Sequence, residues 1–300
     1  MRVVPAFLAC ILMLATSSVS AQDTRDFEAL WKEACLWEVG SNKDIVPAAR
    51  QALIARGESV LEALVPGKLD TKDTLITRAL TVVVTGIGTS ATPRLIAALS
   101  SEKANVRRNA ADLLGALKAT EAAPAIARLL VDPDARMGAL SALGAMKATD
   151  AVPAIAALLG DESALERARV TAAMTLGQIG GADAIVALAG HLGARAAAVR
   201  YACQYALQIE QAAPTLRTLL IHPDPRVRLH AMAALGAIAG PASRAVIIER
   251  LADPSPIMRG FAAEALARVQ QSSDDVMLRA ALARETDPFA RGKLEAALAR

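Results

Sequence analysis

The sequence predicts an all-α solenoid of about eight stacked helix-pair repeats, each of roughly 30 residues. Three observations predict it. An arginine recurs at Arg78, Arg107, Arg136, Arg169, Arg200, Arg228, Arg259 and Arg291, at intervals of 29, 29, 33, 31, 28, 31 and 32 residues. Seven residues after all but the first stands a leucine: Leu114, Leu143, Leu176, Leu207, Leu235, Leu266 and Leu298. The position after that is often glycine, as at Gly86, Gly115, Gly144, Gly177 and Gly236. A unit this short cannot bury its apolar face alone and must stack on its neighbours.

Residues 1–21 read as a secretory signal peptide, with Arg2 as the positive start, Val3–Ala15 as the apolar run and Val19-Ser20-Ala21 as a small-residue cleavage site. The run is shorter than the roughly 20 residues that a membrane-crossing helix needs. Leu8-Ala9-Cys10 looks faintly like a lipoprotein site, but Ile11-Leu12-Met13-Leu14 continues the apolar run past the cysteine. The mature chain is therefore expected to begin at Gln22, to be periplasmic or secreted, and to carry no integral membrane segment. Residues 24–39 read as one amphipathic helix with Phe27, Leu30, Trp31, Cys35 and Leu36 on its apolar side. A solenoid must cover the open core of its end repeats, so residues 22–44 are assigned as an N-terminal cap and 45–300 as the solenoid.

Within a unit, Thr120 or Thr149 followed by an acidic residue marks the start of a first helix, the threonine being expected to cap free backbone N–H groups. Pro124 and Pro153 fall in the first turn, where a missing N–H breaks no helical bond. The helix ends at a polar break such as Asp132-Pro133-Asp134 or His222-Pro223-Asp224-Pro225. A second helix follows and carries the arginine. Taking the residue after the leucine as position 0, Val106, Ala110 and Leu114 occupy −9, −5 and −1, as do Val227, Ala231 and Leu235. Residues four apart share a helical face, so these form the core stripe. Glycine at position 0 costs about 0.5–1 kcal/mol of helix propensity, so its recurrence implies a close backbone approach or a helix terminus.

The acidic-Pro turn, the Val-Arg or Ala-Arg start of the second helix and the Leu-Gly ending its stripe make the chain resemble the short HEAT-like repeat family of the bilin-lyase type, over about residues 45–300. That resemblance implies a right-handed α-solenoid and leaves function open, because such repeats serve many scaffolds. HEAT-like hydroxylases hold iron through His-Glu pairs, and none of His191, His222 and His230 is followed by Glu. HEAT-like bilin lyases act on cytoplasmic phycobiliproteins, a compartment that the export signal argues against. Neither metal nor cofactor is expected.

Losing Arg2 takes the formal charge from +3 to +3 − 1 = +2, and no basic block stands out, so no nucleic-acid footprint is expected. Cleavage leaves Cys35 and Cys203, about five repeats apart and well beyond disulfide reach within one solenoid. Pairing of Cys35 between chains stays open. Cys203 holds a small core position.

The arginines at −8 flank the core stripe, and a half-buried guanidinium needs acceptors. Asp132, Asp134, Asp161, Asp224, Asp253 and Asp287 in the turns are the expected ones. A structural ladder is the expected role, with ligand or anion contact as the alternative. The two tyrosines of the chain, Tyr201 and Tyr205, lie at −7 and −3 of one second helix, away from the stripe. Aromatics are enriched at interface hot spots, so this face, with His230 and Glu264 from nearby repeats, is the candidate partner-binding surface. Phe261, at −6, is expected to be buried. The reading is a non-enzymatic scaffold that binds a protein or peptide. The alternative is an accessory or lyase-like subunit of an enzyme system.

Overall fold

The computed structural model describes residues 25–65, 67–238, 240–269 and 274–299; the leader and its cleavage site lie outside them. Among the described residues the chain forms an all-α solenoid of eighteen α-helices with no strand. α1 (Phe27–Ala34) and α2 (Ile45–Ala55) form an opening hairpin. Eight pairs follow: α3 (Glu58–Leu64) with α4 (Thr74–Ile87), α5 (Thr92–Ala98) with α6 (Ala104–Leu117), α7 (Ala123–Ala127) with α8 (Arg136–Met146), and α9 (Val152–Gly160) with α10 (Glu166–Ile179). The series continues with α11 (Gly181–Ala189) and α12 (Ala197–Ala206), α13 (Ala213–Leu219) and α14 (Pro225–Ile238), α15 (Pro241–Glu249) and α16 (Pro256–Val269), and α17 (Asp274–Arg284) and α18 (Pro288–Leu298). Each second helix packs against the second helix before it. Among the described residues no single helix is long and apolar enough to cross a membrane; α4 meets that test only together with Thr89–Ala98, across a bend of 108°.

The helix expected over 24–39 is shorter. α1 stops at Ala34, Leu36 stands 37% exposed and Trp37 60%. Glu38 turns to bond Arg50 at 2.9 Å, and Gly40 adopts a φ of +58°, which a helix cannot continue through. Leu30, Trp31 and Ala34 are buried, with Phe27 stacked on Trp31 at 6.2 Å, and α1 covers α2. Arg291 and Glu295 of α18 pair at 3.1 Å on an exposed face.

The core stripe runs as the helical spacing requires: Val106, Ala110, Leu114, Ala231, Cys203 and Leu235 are all buried. The glycines mark close approaches between second helices. A Cβ on Gly115 would lie 2.7 Å from Cα of Ala142, one on Gly177 2.8 Å from Cβ of Ala206, and one on Gly236 2.5 Å from Cβ of Ala265. Ala142, Ala206 and Ala265 all occupy position −2 of the next unit, so a bare position 0 meets a methyl across each of these joints.

The threonines do not cap. Thr120 and Thr149 open short 3-10 turns without a side-chain cap bond, while Pro124 and Pro153 take the first turn of the helix that follows. The preceding helices instead end through Lys118 and Lys147 in the left-handed conformation, with φ of 53° and 52°. Ala119 and Ala148 N–H then close on Leu114 and Leu143 O at 3.1 and 3.0 Å. The backbone satisfies its own termini there, so the hydroxyl is not needed.

The arginines reach mostly backbone oxygens, which corrects the expected carboxylate acceptors. Arg107, Arg136, Arg200, Arg228 and Arg259 each donate to the carbonyl six residues earlier, at Ser101, Leu130, Ala194, His222 and Asp253, over 2.6–2.9 Å. Arg291 does the same to Glu285 O at 3.4 Å. Arg169 reaches back ten residues to Leu159 O at 2.9 Å, across the turn with the longest repeat interval. These carbonyls lie in the last turn of the first helix or just past it, where oxygens are left without a helical partner. The turn carboxylates serve the backbone instead. Asp132, Asp161, Asp224, Asp253 and Asp287 accept the N–H two residues on, at 2.8–3.0 Å, which braces the turn; Asp287 also caps α18. Two carboxylates also bind an arginine of the unit before. Asp132 pairs with Arg107 at 2.6 Å, and Glu285 takes Arg259 through both oxygens at 2.6 and 2.7 Å. The Arg259 guanidinium, with burial opposing it, brings the Glu285 carboxyl down to about 2.

Arg78 is not such a rung: its half-exposed side chain reaches Glu38 at 3.4 Å and joins no turn carbonyl among the described residues. Arg50, 78 − 50 = 28 residues earlier, takes the part, buried and bonded to Ala34 O at 3.1 Å. Arg136→Ala and Arg228→Ala should each cost about 1–3 kcal/mol in a denaturant melt, the range for leaving partly buried hydrogen-bond partners unpaired. Arg78→Ala should stay within about 0.5 kcal/mol.

Candidate partner-binding surface

Positions −9, −5, −4, −2 and −1 of the second helices are mostly buried, and −7 and −3 are more open, although Gly260 at −7 is buried against Phe289. In consecutive units those positions carry Met137 and Ser141, Val170 and Met174, Tyr201 and Tyr205, Leu229 and Ala233, then Gly260 and Glu264. The middle of the solenoid thus presents an apolar strip across α8, α10, α12 and α14. Tyr201 and Tyr205 stand 61% and 63% exposed at its centre, while Met137, Val170, Met174 and Leu229 are half-buried.

Two hollows flank the tyrosines. The first, of about 190 Å³, lies over α14 between Tyr201 and Gln204 of α12 and Phe261, Glu264, Ala265 and Arg268 of α16, with Leu229, His230 and Ala233 beneath. It opens because Ala233 holds the −3 position that Tyr205 and Glu264 fill on either side. The second, of about 300 Å³, is bounded by Met174, Gly177 and Gln178 of α10 and Tyr205, Ala206, Gln208 and Ile209 along and beyond α12.

The four residues singled out from sequence do not all face solvent. Tyr201, His230 and Glu264 line one hollow and Tyr205 the other. His230 is only 5% exposed, because −6 points along the seam between α12 and α14. Its Nδ1 lies 2.6 Å from Oε1 of Gln204, and Arg200 Nε donates to its Nε2 at 3.3 Å. An arginine can only donate, so Nε2 is the acceptor and the proton sits on Nδ1. Tyr201 meets the imidazole edge-on, with centroids 5.1 Å apart at 86°. Glu264 is held by Arg268 at 2.8 Å and Lys293 at 2.6 Å, and chiefly the Lys293 bond lowers its carboxyl below the ordinary range. Phe261 is half-buried and tilts against Phe289 at 6.0 Å, with the Lys293 ammonium 5.5 Å above its ring.

Gln204, Arg268 and Lys293 were not singled out from sequence. Arg268 was within reach of it, being at +1 on the same outward row as Glu264. Lys293 belongs to the next unit, and spacing alone does not tell which acid it meets. Cys35 and Cys203 are free; burial pushes the Cys35 thiol to about 11 and the Cys203 thiol to about 12. Among the described residues no group of three His, Cys, Asp or Glu side chains converges in a metal-binding cluster.

Residues 131–208 and 209–299 match the model of HEAT repeats, and 106–132 that of the PBS lyase HEAT-like repeat. The HEAT matches span more than half of the sequence. The chain belongs to the HEAT-repeat family. Solved structures similar to it include human deoxyhypusine hydroxylase in complex with glycerol, at 23% identity over 81% of this chain and 95% of that one, with a TM-score of 0.34. YibA of E. coli is similar at 15% identity over 87% and 98%, with a TM-score of 0.45. The complex of CpcE and CpcF of phycocyanin lyase from Nostoc sp. is similar at 21% identity over 90% and 93%, with a TM-score of 0.35. None of the three reaches a TM-score of 0.5, so the family assignment rests on the repeat matches. Among curated proteins, none matches the chain.

Burial, then the neighbouring Arg200 charge, holds His230 below its ordinary value of 6.5. A group kept neutral by folding is protonated first in the unfolded chain, so its contribution is present above 6.5 and is lost as pH falls toward the depressed folded value. The urea midpoint should therefore drop as pH falls below about 6.5. His230→Gln should flatten that part of the profile, whatever its effect at pH 7.5.

Proposed function

We propose that this HEAT-repeat chain is an exported, non-enzymatic scaffold that binds a protein or peptide across α10, α12, α14 and α16. The observation that carries the reading is the exposed Tyr201–Tyr205 pair between two hollows, on a more open row of the second helices. The ionisable groups around it support binding over chemistry. Both His230 nitrogens are engaged, and both Glu264 oxygens take cations, so neither is poised to exchange a proton with a substrate. Export rests on the leader-like pattern of residues 1–21.

The test is capture from the exported fraction with the mature chain as bait, its N-terminus at Gln22 by intact mass. Tyr205→Ala should shift stability by less than about 0.5 kcal/mol. Tyr201→Ala should cost about 0.5–1.5 kcal/mol, because its ring also meets His230. Each should weaken capture of the partner roughly tenfold or more, as loss of an aromatic hot spot does. Capture that survives the double replacement would remove the tyrosines from the interface.

A further inference from the structure

Charge on the rim of the first hollow narrows what it accepts, given the binding surface proposed above, on which this inference rests. Glu264 sits between Arg268 at 2.8 Å and Lys293 at 2.6 Å. Two cations share one carboxylate, a local charge of +2 − 1 = +1. Lys293 is also engaged by the rings of Phe261 at 5.5 Å and Phe289 at 5.9 Å, a cation–π seat that fixes it in place. Arg268 differs. Its side chain is 48% exposed, and Nη2 is the nitrogen that meets Glu264. The rest of a planar guanidinium suits a second carboxylate, which it can take through two parallel N–H bonds. Below that rim Tyr201, Leu229, Ala233 and Phe261 supply apolar wall, beside His230 and Gln204, which bond each other at 2.6 Å. The second hollow carries Met174, Tyr205 and Ile209 and no charged side chain.

We infer that the occupant is an extended peptide segment with two bulky apolar side chains and a carboxylate beyond the second, the acid seated on Arg268. Spacing gives its register. The second hollow lies in the α10–α12 seam and the first over α14, about one and a half helix spacings apart, or roughly 12–15 Å. An extended chain rises about 3.3 Å per residue, so apolar side chains four residues apart span the tyrosine ridge, and side chains two apart share a face. The predicted pattern is an apolar residue, a second one four positions on, and Asp or Glu two positions after that.

The probe is the end-blocked heptapeptide Leu-Ser-Gly-Ser-Phe-Ser-Glu, titrated at low salt and followed by the NMR signals of the protein, beside the same peptide ending in Gln. The acidic peptide should bind about fivefold more tightly than the amide, the range of one exposed ion pair. Salt should erode the preference, and Arg268→Gln should bring the two affinities together. Equal affinities for the two peptides, both weakened by Tyr201→Ala, would overturn the acidic preference and leave the surface standing. Failure of both peptides to bind, while the captured partner still depends on the tyrosines, would overturn the peptide pattern alone. If the captured partner is also indifferent to the tyrosines, the surface reading falls with it.

Discussion

The structure depends on one contact: a bare glycine on one second helix against an alanine methyl on the next. At Gly115, Gly177 and Gly236 there is no room for a Cβ, since the nearest atoms would lie 2.5–2.8 Å away. Helix axes come close only where side chains are small, and close helices exchange more dispersion contact per residue. The leucine beside each glycine is fully buried, as are Leu207 and Leu266 in units without the glycine. The ladder of arginines is a consequence of this spacing. With second helices brought together, the ends of the first helices are confined at the edge of the stack, and the guanidinium at −8 answers the carbonyls left open there.

What spacing could reveal was the set of features that repeat. The stripe at −9, −5 and −1, the close approach at glycine and the outward aim of Tyr201 and Tyr205 all follow from 3.6 residues per turn. Acceptors were harder to read. Every residue carries a carbonyl, so nothing in the letters marks the one at Ser101 or His222 as the partner of an arginine. Aspartates stood out because they are charged, yet most are spent on N–H groups two residues on. Neither Arg50 nor Arg78 has a leucine seven residues on, since Gly57 and Thr85 stand there, so spacing does not tell that Arg50 is the rung and that Arg78 turns to Glu38. The threonine caps failed for a related reason: a left-handed lysine closes the preceding helix through backbone bonds alone.

The candidate surface arises from departures from the repeat. Where neighbouring units place Tyr205 and Glu264 at −3, the unit between them has Ala233, and a hollow results. Where the three units before it place Gly138, Thr171 and Ala202 at −6, His230 enters the α12–α14 seam and backs Tyr201 from the side. The regular positions thus build a rigid body, and the irregular ones give part of it an identity. Tyr201 belongs to both sets of interactions, since one edge of it is exposed while its ring meets His230.

The most direct measurement is the stability of glycine-to-alanine variants. Helix propensity alone predicts that Gly115→Ala and Gly236→Ala stabilise the protein by about 0.5–1 kcal/mol. Close packing predicts the opposite sign at both, a loss of about 1–3 kcal/mol from forcing a methyl into a filled joint. Gly292, with nothing within 4 Å of its would-be Cβ, is the internal control and should gain stability as propensity requires. Destabilisation at Gly115 and Gly236 with stabilisation at Gly292 is the predicted result. Stabilisation at all three would contradict the claim that these joints hold the solenoid together.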